Sequence, residues 1–103
     1  MEFLESLESM DPQAAGKLLK RIDLLEERGL QFMMTADYMD KFSFKHEDIY
    51  EIKVERRKVQ YRILGVLRGP IMWLVHGFYK KSQATPKRHL ETAKERAQKI
   101  TNS

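Results

Sequence analysis

The sequence predicts a small α+β fold: an antiparallel sheet of three to four strands, with two N-terminal helices and one C-terminal helix. Three observations predict it. Apolar residues recur at helical spacing up to Gly29, the pattern turns to alternation from Ile49, and helical spacing returns after Thr85-Pro86. At 103 residues without a repeat, a low-complexity tract or a Pro/Gly/Ser-rich linker, the chain reads as one domain spanning 1–103.

Phe3-Leu4-Glu5-Ser6-Leu7 reads as a short helix ending before Asp11-Pro12, a cap residue followed by a first-turn proline. Ala14, Leu18, Ile22 and Leu25 then mark one face of a longer amphipathic helix, and Gly29 stands where a terminating glycine belongs. Residues 30–48 carry apolar side chains, among them Phe32, Met33, Met34, Tyr38, Met39, Phe42 and Phe44, that keep neither period. They are expected to form a packed loop with one helical turn, and the methionines and aromatics are expected to fill the core rather than bind a ligand. Tyr50, Ile52 and Val54 alternate with Glu51, Lys53 and Glu55, as on a half-buried strand. Arg56-Arg57-Lys58 is a charged turn, and the next strand sets Tyr61 and Ile63 against Gln60 and Arg62. After Gly69-Pro70, the run Ile71-Met72-Trp73-Leu74-Val75 reads as a strand covered on both faces and central, or nearly so, in the sheet. Thr85-Pro86 repeats the cap-plus-proline signal, and Leu90, Ala93, Ala97 and Ile100 trace the inner face of the last helix.

The chain has no cysteine, which removes disulfides, thiolate nucleophiles and thiolate metal sites. No apolar run approaches the ~20 residues of a spanning helix, and the opening residues lack the pattern of a secretory signal, so a cytoplasmic address and no membrane partner are expected. Phosphate-binding glycine loops, dinucleotide fingerprints, nucleophile elbows and paired metal-ligand spacings are absent, so neither a cofactor nor a metal is expected. Charge is divided unevenly. Residues 1–52 hold 6 Lys/Arg against 12 Asp/Glu (net −6), and 53–103 hold 13 against 3 (net +10). A cationic half of this kind suits a polyanion, with nucleic acid as the leading candidate. The plainer alternative is that an acidic and a basic layer pair with each other inside the fold.

Among the cations of the second half, Lys53, Arg56, Arg57, Lys58, Arg62, Lys80, Lys81, Lys87 and Arg88, with His89 beside them, lie at strands, turns and the start of the last helix. Each alone reads as a solvated charge. Lys87 and Arg88 stand in a first helical turn, where the helix dipole disfavours cations unless an anion is bound. Arg62 lies mid-strand, so that either it faces a ligand or a carboxylate such as Glu51 pairs with it. From His76 to Pro86 the chain combines an imidazole, the aromatics Phe78 and Tyr79, and the lysines Lys80 and Lys81, residue types that stack on unpaired bases and neutralise phosphates.

Tyr50-Glu51-Ile52-Lys53, then Tyr61-Arg62-Ile63-Leu64, then His76-Gly77-Phe78-Tyr79-Lys80-Lys81-Ser82-Gln83-Ala84-Thr85-Pro86, resemble in order and spacing the phage-derived HigB-like branch of the RelE toxin superfamily. The resemblance implies a RelE-like sheet with packed helices. It also implies a toxin of a toxin–antitoxin system: an endoribonuclease that cleaves mRNA on the ribosome, and a cognate antitoxin protein carrying a DNA-binding domain. Under it, Lys53, Arg62, His76, Lys80 and Lys81 are the catalytic candidates, and Arg57, Tyr79, Lys87 and Arg88 the substrate-binding ones. Two departures stand out. The family usually has arginine where this chain has Lys53, which keeps the charge without the bidentate fork. The family usually opens on a strand before the first helix, whose lack is expected to uncover a sheet edge. Two other readings compete: a non-catalytic RNA- or ribosome-binding module, and a phage interaction protein whose basic half meets an acidic partner.

Overall fold

The computed structural model describes residues 1–82 and 84–100. It is α+β, with a four-stranded antiparallel sheet, helices at both ends of the chain, and element order α1, α2, α3, β1, β2, β3, β4, α4. Helix α1 (Glu2–Met10) is followed at once by α2 (Pro12–Arg28). Asp11 divides them: its carboxylate accepts a hydrogen bond from the Ala14 N–H at 3.2 Å, and Pro12 occupies the first turn of α2. Gly29, at φ 86°, ends α2.

Residues 30–48 differ from the expected loop. They form a short helix α3 (Leu30–Thr35) and an edge strand β1 (Met39–Ser43). The strand escapes a periodicity reading because it spans five residues and owes its form to pairing with β2 (Asp48–Arg56), in the register Met39↔Ile52 to Ser43↔Asp48. Strands β3 (Val59–Arg68) and β4 (Ile71–Lys80) complete a meander of order β1-β2-β3-β4.

The expected central position of Ile71–Val75 is corrected, since β4 is an edge strand. Ile71 is 56% exposed and Trp73 45%. The most covered strand is β3, in which Gln60 to Val66 are all buried. Its two polar members, Gln60 and Arg62, disguise it as half-exposed when hydropathy alone is read.

The sheet separates two cores. On one face Ile52, Val54, Tyr61 and Ile63 meet Leu7, Ala14, Leu18 and Met33 from the first three helices. The ring of Phe3 occupies the space a Cβ would need at Gly77, so glycine there lets α1 close onto β4. On the other face, α4 (Lys87–Gln98) sets Leu90, Ala93 and Ala97 against Ile49, Leu64, Val66 and Phe78. The expected cap at Thr85 is also corrected: Pro86 is the residue before α4, and the Thr85 hydroxyl donates instead to Glu51 Oε2 at 2.6 Å.

Candidate functional site

Alternation along β2 and β3 turns Glu51, Lys53 and Glu55, and Gln60 and Arg62, toward the sheet face on which α4 lies. The antiparallel register sets Lys53 opposite Arg62, Arg62 opposite Phe78, and Gln60 opposite Lys80. Lys53, Arg62 and Lys80 therefore stand on three adjacent strands and one face. The hydrogen bond from Thr85 to Glu51 brings the start of α4, with Lys87 and Arg88, to the same region.

Carboxylates accompany these cations. Lys53 Nζ lies 2.8 Å from Asp37 Oδ1 and 3.1 Å from Asp40 Oδ2. Burial pulls the Lys53 pKa down, but its hydrogen bonds to the two aspartates outweigh that and hold it above its ordinary value. Arg62, only 3% exposed, has its Nε 3.4 Å from Glu51 Oε1. Burial pushes the Glu51 carboxyl up, against the opposing pull of Thr85 and Arg62. Lys80 Nζ is buried without a hydrogen-bond partner, and burial, reinforced by the Arg62 charge, lowers its pKa. At the open flank of β2, a concavity of about 250 Å³ is lined by Arg21, Asp37, Tyr38, Lys53, Val54, Glu55, Gln60 and Arg62. The Arg21 guanidinium stacks 3.5 Å from the centre of the Tyr38 ring.

The other sequence candidates are dispersed. Tyr79 is 54% exposed on the opposite face, its ring 6.2 Å from that of Tyr61. Lys81 is exposed beyond the end of β4 and lines a separate concavity with Asp11, Tyr61 and Tyr79. Arg57 is exposed at the tip of the β2–β3 hairpin. Gln83 of the exit segment lies outside the described residues.

His76 shares the Lys80 face of β4 but sits against α4. Its Nε2 is 2.8 Å from His89 Nδ1, and its Nδ1 is 3.3 Å from the Arg96 guanidinium, which also donates to the Val75 carbonyl at 2.7 Å. Burial, then His89 and Arg96, bring the His76 pKa down to about 4. The His89 ring stacks on Phe78 at 3.8 Å and 3°. Burial, then Arg88 and Lys80, lower its pKa as well.

Sequence reasoning gave Asp37, Asp40, Arg21 and Tyr38 no place beside Lys53, because only the pairing of β1 and the residues before it with β2 brings them there. It named Glu51 as the possible partner of Arg62, and the alternation carried that signal. The contact of His89 with His76 depends on how α4 folds back over β4, which no local pattern encodes. Among the described residues no three His, Asp or Glu side chains are placed to hold a metal ion, and no helix is long and apolar enough to cross a membrane. The family model described as phage-derived protein Gp49-like matches residues 5–98. No curated protein and no solved structure matches the chain.

Proposed function

Since the chain belongs to the phage-derived Gp49-like family, we propose that it is the toxin of a toxin–antitoxin system, of the RelE/HigB type, acting as an endoribonuclease on mRNA in the ribosome. One observation carries the reading: Lys53, Arg62 and Lys80 come from three neighbouring strands onto one sheet face. Three cations so placed suit a phosphodiester whose charge grows in the transition state, and fixed charges in a poorly hydrated site stabilise it most.

In the proposed reaction the RNA 2′-oxygen attacks the adjacent phosphorus in line as its proton is withdrawn. The bond to the 5′-oxygen breaks, and that oxygen takes up a proton. The products are a 2′,3′-cyclic phosphate and a free 5′-hydroxyl. Arg62 and Lys53 hold the non-bridging oxygens, each exchanging a carboxylate partner for phosphate. Lys80, whose pKa burial and the Arg62 charge lower, is the group assigned to move a proton. Lys87 and Arg88, exposed in the first turn of α4, draw in the flanking backbone. Tyr79, Lys81 and Arg57 then serve as outlying contacts along the RNA path, and His76, engaged by His89 and Arg96, is given no chemical step.

A protein partner is favoured by a separate observation. Ile71 and Trp73 are exposed on the edge strand β4, and an apolar patch on an unpaired edge is a common protein-binding surface. The proposed occupant is the antitoxin.

The test is induction in cells and addition to a ribosome-containing translation extract, with RNA ends mapped. Cleavage leaving 2′,3′-cyclic phosphate ends is expected. Intact RNA in both settings, with the protein shown to be folded, would overturn the nuclease reading and leave RNA binding without cleavage.

A further inference from the structure

The contacts along α4 and β4 determine the protonation of two imidazoles by donor–acceptor counting. Arg96 can only donate, so His76 Nδ1 must accept and carry no proton. His76 is then neutral with its proton on Nε2, and that proton points to His89 Nδ1, 2.8 Å away. His89 Nδ1 must accept in turn, so His89 carries its own proton on Nε2. No hydrogen bond among the described residues uses His89 Nε2, and it is not among the buried atoms left without a partner. The ring that carries this donor is held flat on Phe78, the residue paired with Arg62, and stands close enough to Lys80 for that charge to depress its pKa.

We propose that His89, set by Arg96 and His76 as the Nε2–H tautomer, is a neutral hydrogen-bond donor to the phosphate backbone of RNA lying on the Lys53–Arg62–Lys80 face. The inference rests on the proposed RNA-binding role of that face. His89 is the contacting residue, while His76 and Arg96 are positioning residues acting through it. The charged groups facing the pair are Lys80 from β4 and Arg88 and Arg96 from α4, all cationic. Burial and these cations oppose a second proton on either ring and favour the neutral donor.

Long-range proton–nitrogen NMR on the full chain reads the tautomers directly, with a 2′-O-methyl RNA oligonucleotide as an uncleavable probe. At pH 7, Nε2 protonation of both histidines is expected, with the His89 Nε2–H signal moving when the oligonucleotide binds. His89→Phe keeps a ring on Phe78 without the donor and should bind about tenfold more weakly. His76→Gln accepts from Arg96 and donates to His89, so it should retain wild-type affinity, whereas His76→Leu should lose as much as His89→Phe. An Nδ1–H tautomer at His89 overturns the proposal whatever the variants do. Signals that move at Lys53 and Lys80 but not at His89 also overturn it, leaving RNA binding intact and His89 as a packing residue. No response at any of these residues removes the RNA-binding role and this inference together.

Discussion

Arg62 shows how burial changes what a substitution measures. From sequence, Arg62→Ala is expected to abolish cleavage and leave the thermal midpoint nearly unchanged, as for an exposed catalytic cation. In the fold its side chain is 4% exposed beside Glu51 at 2%, and removing one partner of such a pair strands the other charge. Arg62→Ala should therefore cost about 3 kcal/mol, lowering the midpoint by more than about 10 °C. Glu51→Leu with Arg62→Met should restore most of that stability while leaving no RNA cleavage, which separates the structural role from the chemical one. Calorimetry on the two variants checks the first half, and RNA end mapping the second. His76 gives a pH prediction of definite sign. Its folded pKa lies near 4, below the ordinary 6.5, so between those values the unfolded chain binds more protons. Stability is then complete above about pH 6.5 and falls as the pH drops toward 4, by roughly 2 kcal/mol once partial solvent exposure is allowed for. Urea melts at pH 7 and pH 4.5 should show the loss, and His76→Gln should reduce it to the part that His89, also lowered, contributes. Alternation placed Glu51 and Lys53 on one face of their strand and offered Glu51 as a partner for Arg62, which the β2–β3 register brings to that face. The aspartates gripping Lys53 were out of reach, because that contact joins β2 to a strand with too few residues to show a period.

Among the elements, the β2–β3 hairpin departs from local preference in its backbone. Arg57 and Lys58 sit at φ 53° and 65°, the paired left-handed conformation that a tight two-residue turn demands and that Asn-Gly satisfies best. Two long cationic side chains there carry a backbone penalty of order 1 kcal/mol each. Arg57→Asn with Lys58→Gly should raise stability by about 1 kcal/mol in urea unfolding. If the tip also contacts RNA, affinity for the 2′-O-methyl oligonucleotide should fall at the same time, so the pair of measurements tells a strained contact loop from a strained turn alone. Both N-terminal helices, the hairpin and α4 were legible because periodicity marked each of them and Asp11-Pro12 divided the first two. The position of β4 was not. Its apolar run was read as covered on both faces, yet its first residues form an exposed edge. Cover depends on the number of strands and on which helix lies above, and these are properties of the assembled sheet rather than of the segment.

Across the whole molecule the acidic and basic halves of the sequence are partly consumed by each other. Lys53 pairs with Asp37 and Asp40, Arg56 with Asp11, Arg62 with Glu51, and Arg68 with Glu47. Every one of these bridges joins a cation after residue 52 to a carboxylate before it. The internal-layer reading of the charge asymmetry thus accounts for four cations, and the surplus presented outward is carried by others, with Lys87 and Arg88 exposed near the candidate face and Lys81 exposed beyond the end of β4. That division predicts the salt response. If those three and Lys80 each neutralise one phosphate of a single strand, log affinity should fall with log salt at a slope of about −3, given roughly −0.7 per contact. Lys87→Gln with Arg88→Gln should reduce the magnitude of the slope by about 1.4 without moving the thermal midpoint by more than a few degrees. Arg56→Gln should do the reverse: its guanidinium is 2.8 Å from Asp11, the residue that caps α2, so the midpoint drops while the slope holds. Fluorescence anisotropy over a salt series, with melts of the same samples, measures both. Equal slopes for all three proteins would mean that the outward surplus does not meet the RNA. The charge asymmetry would then be wholly a device for joining the helical half of the chain to the sheet.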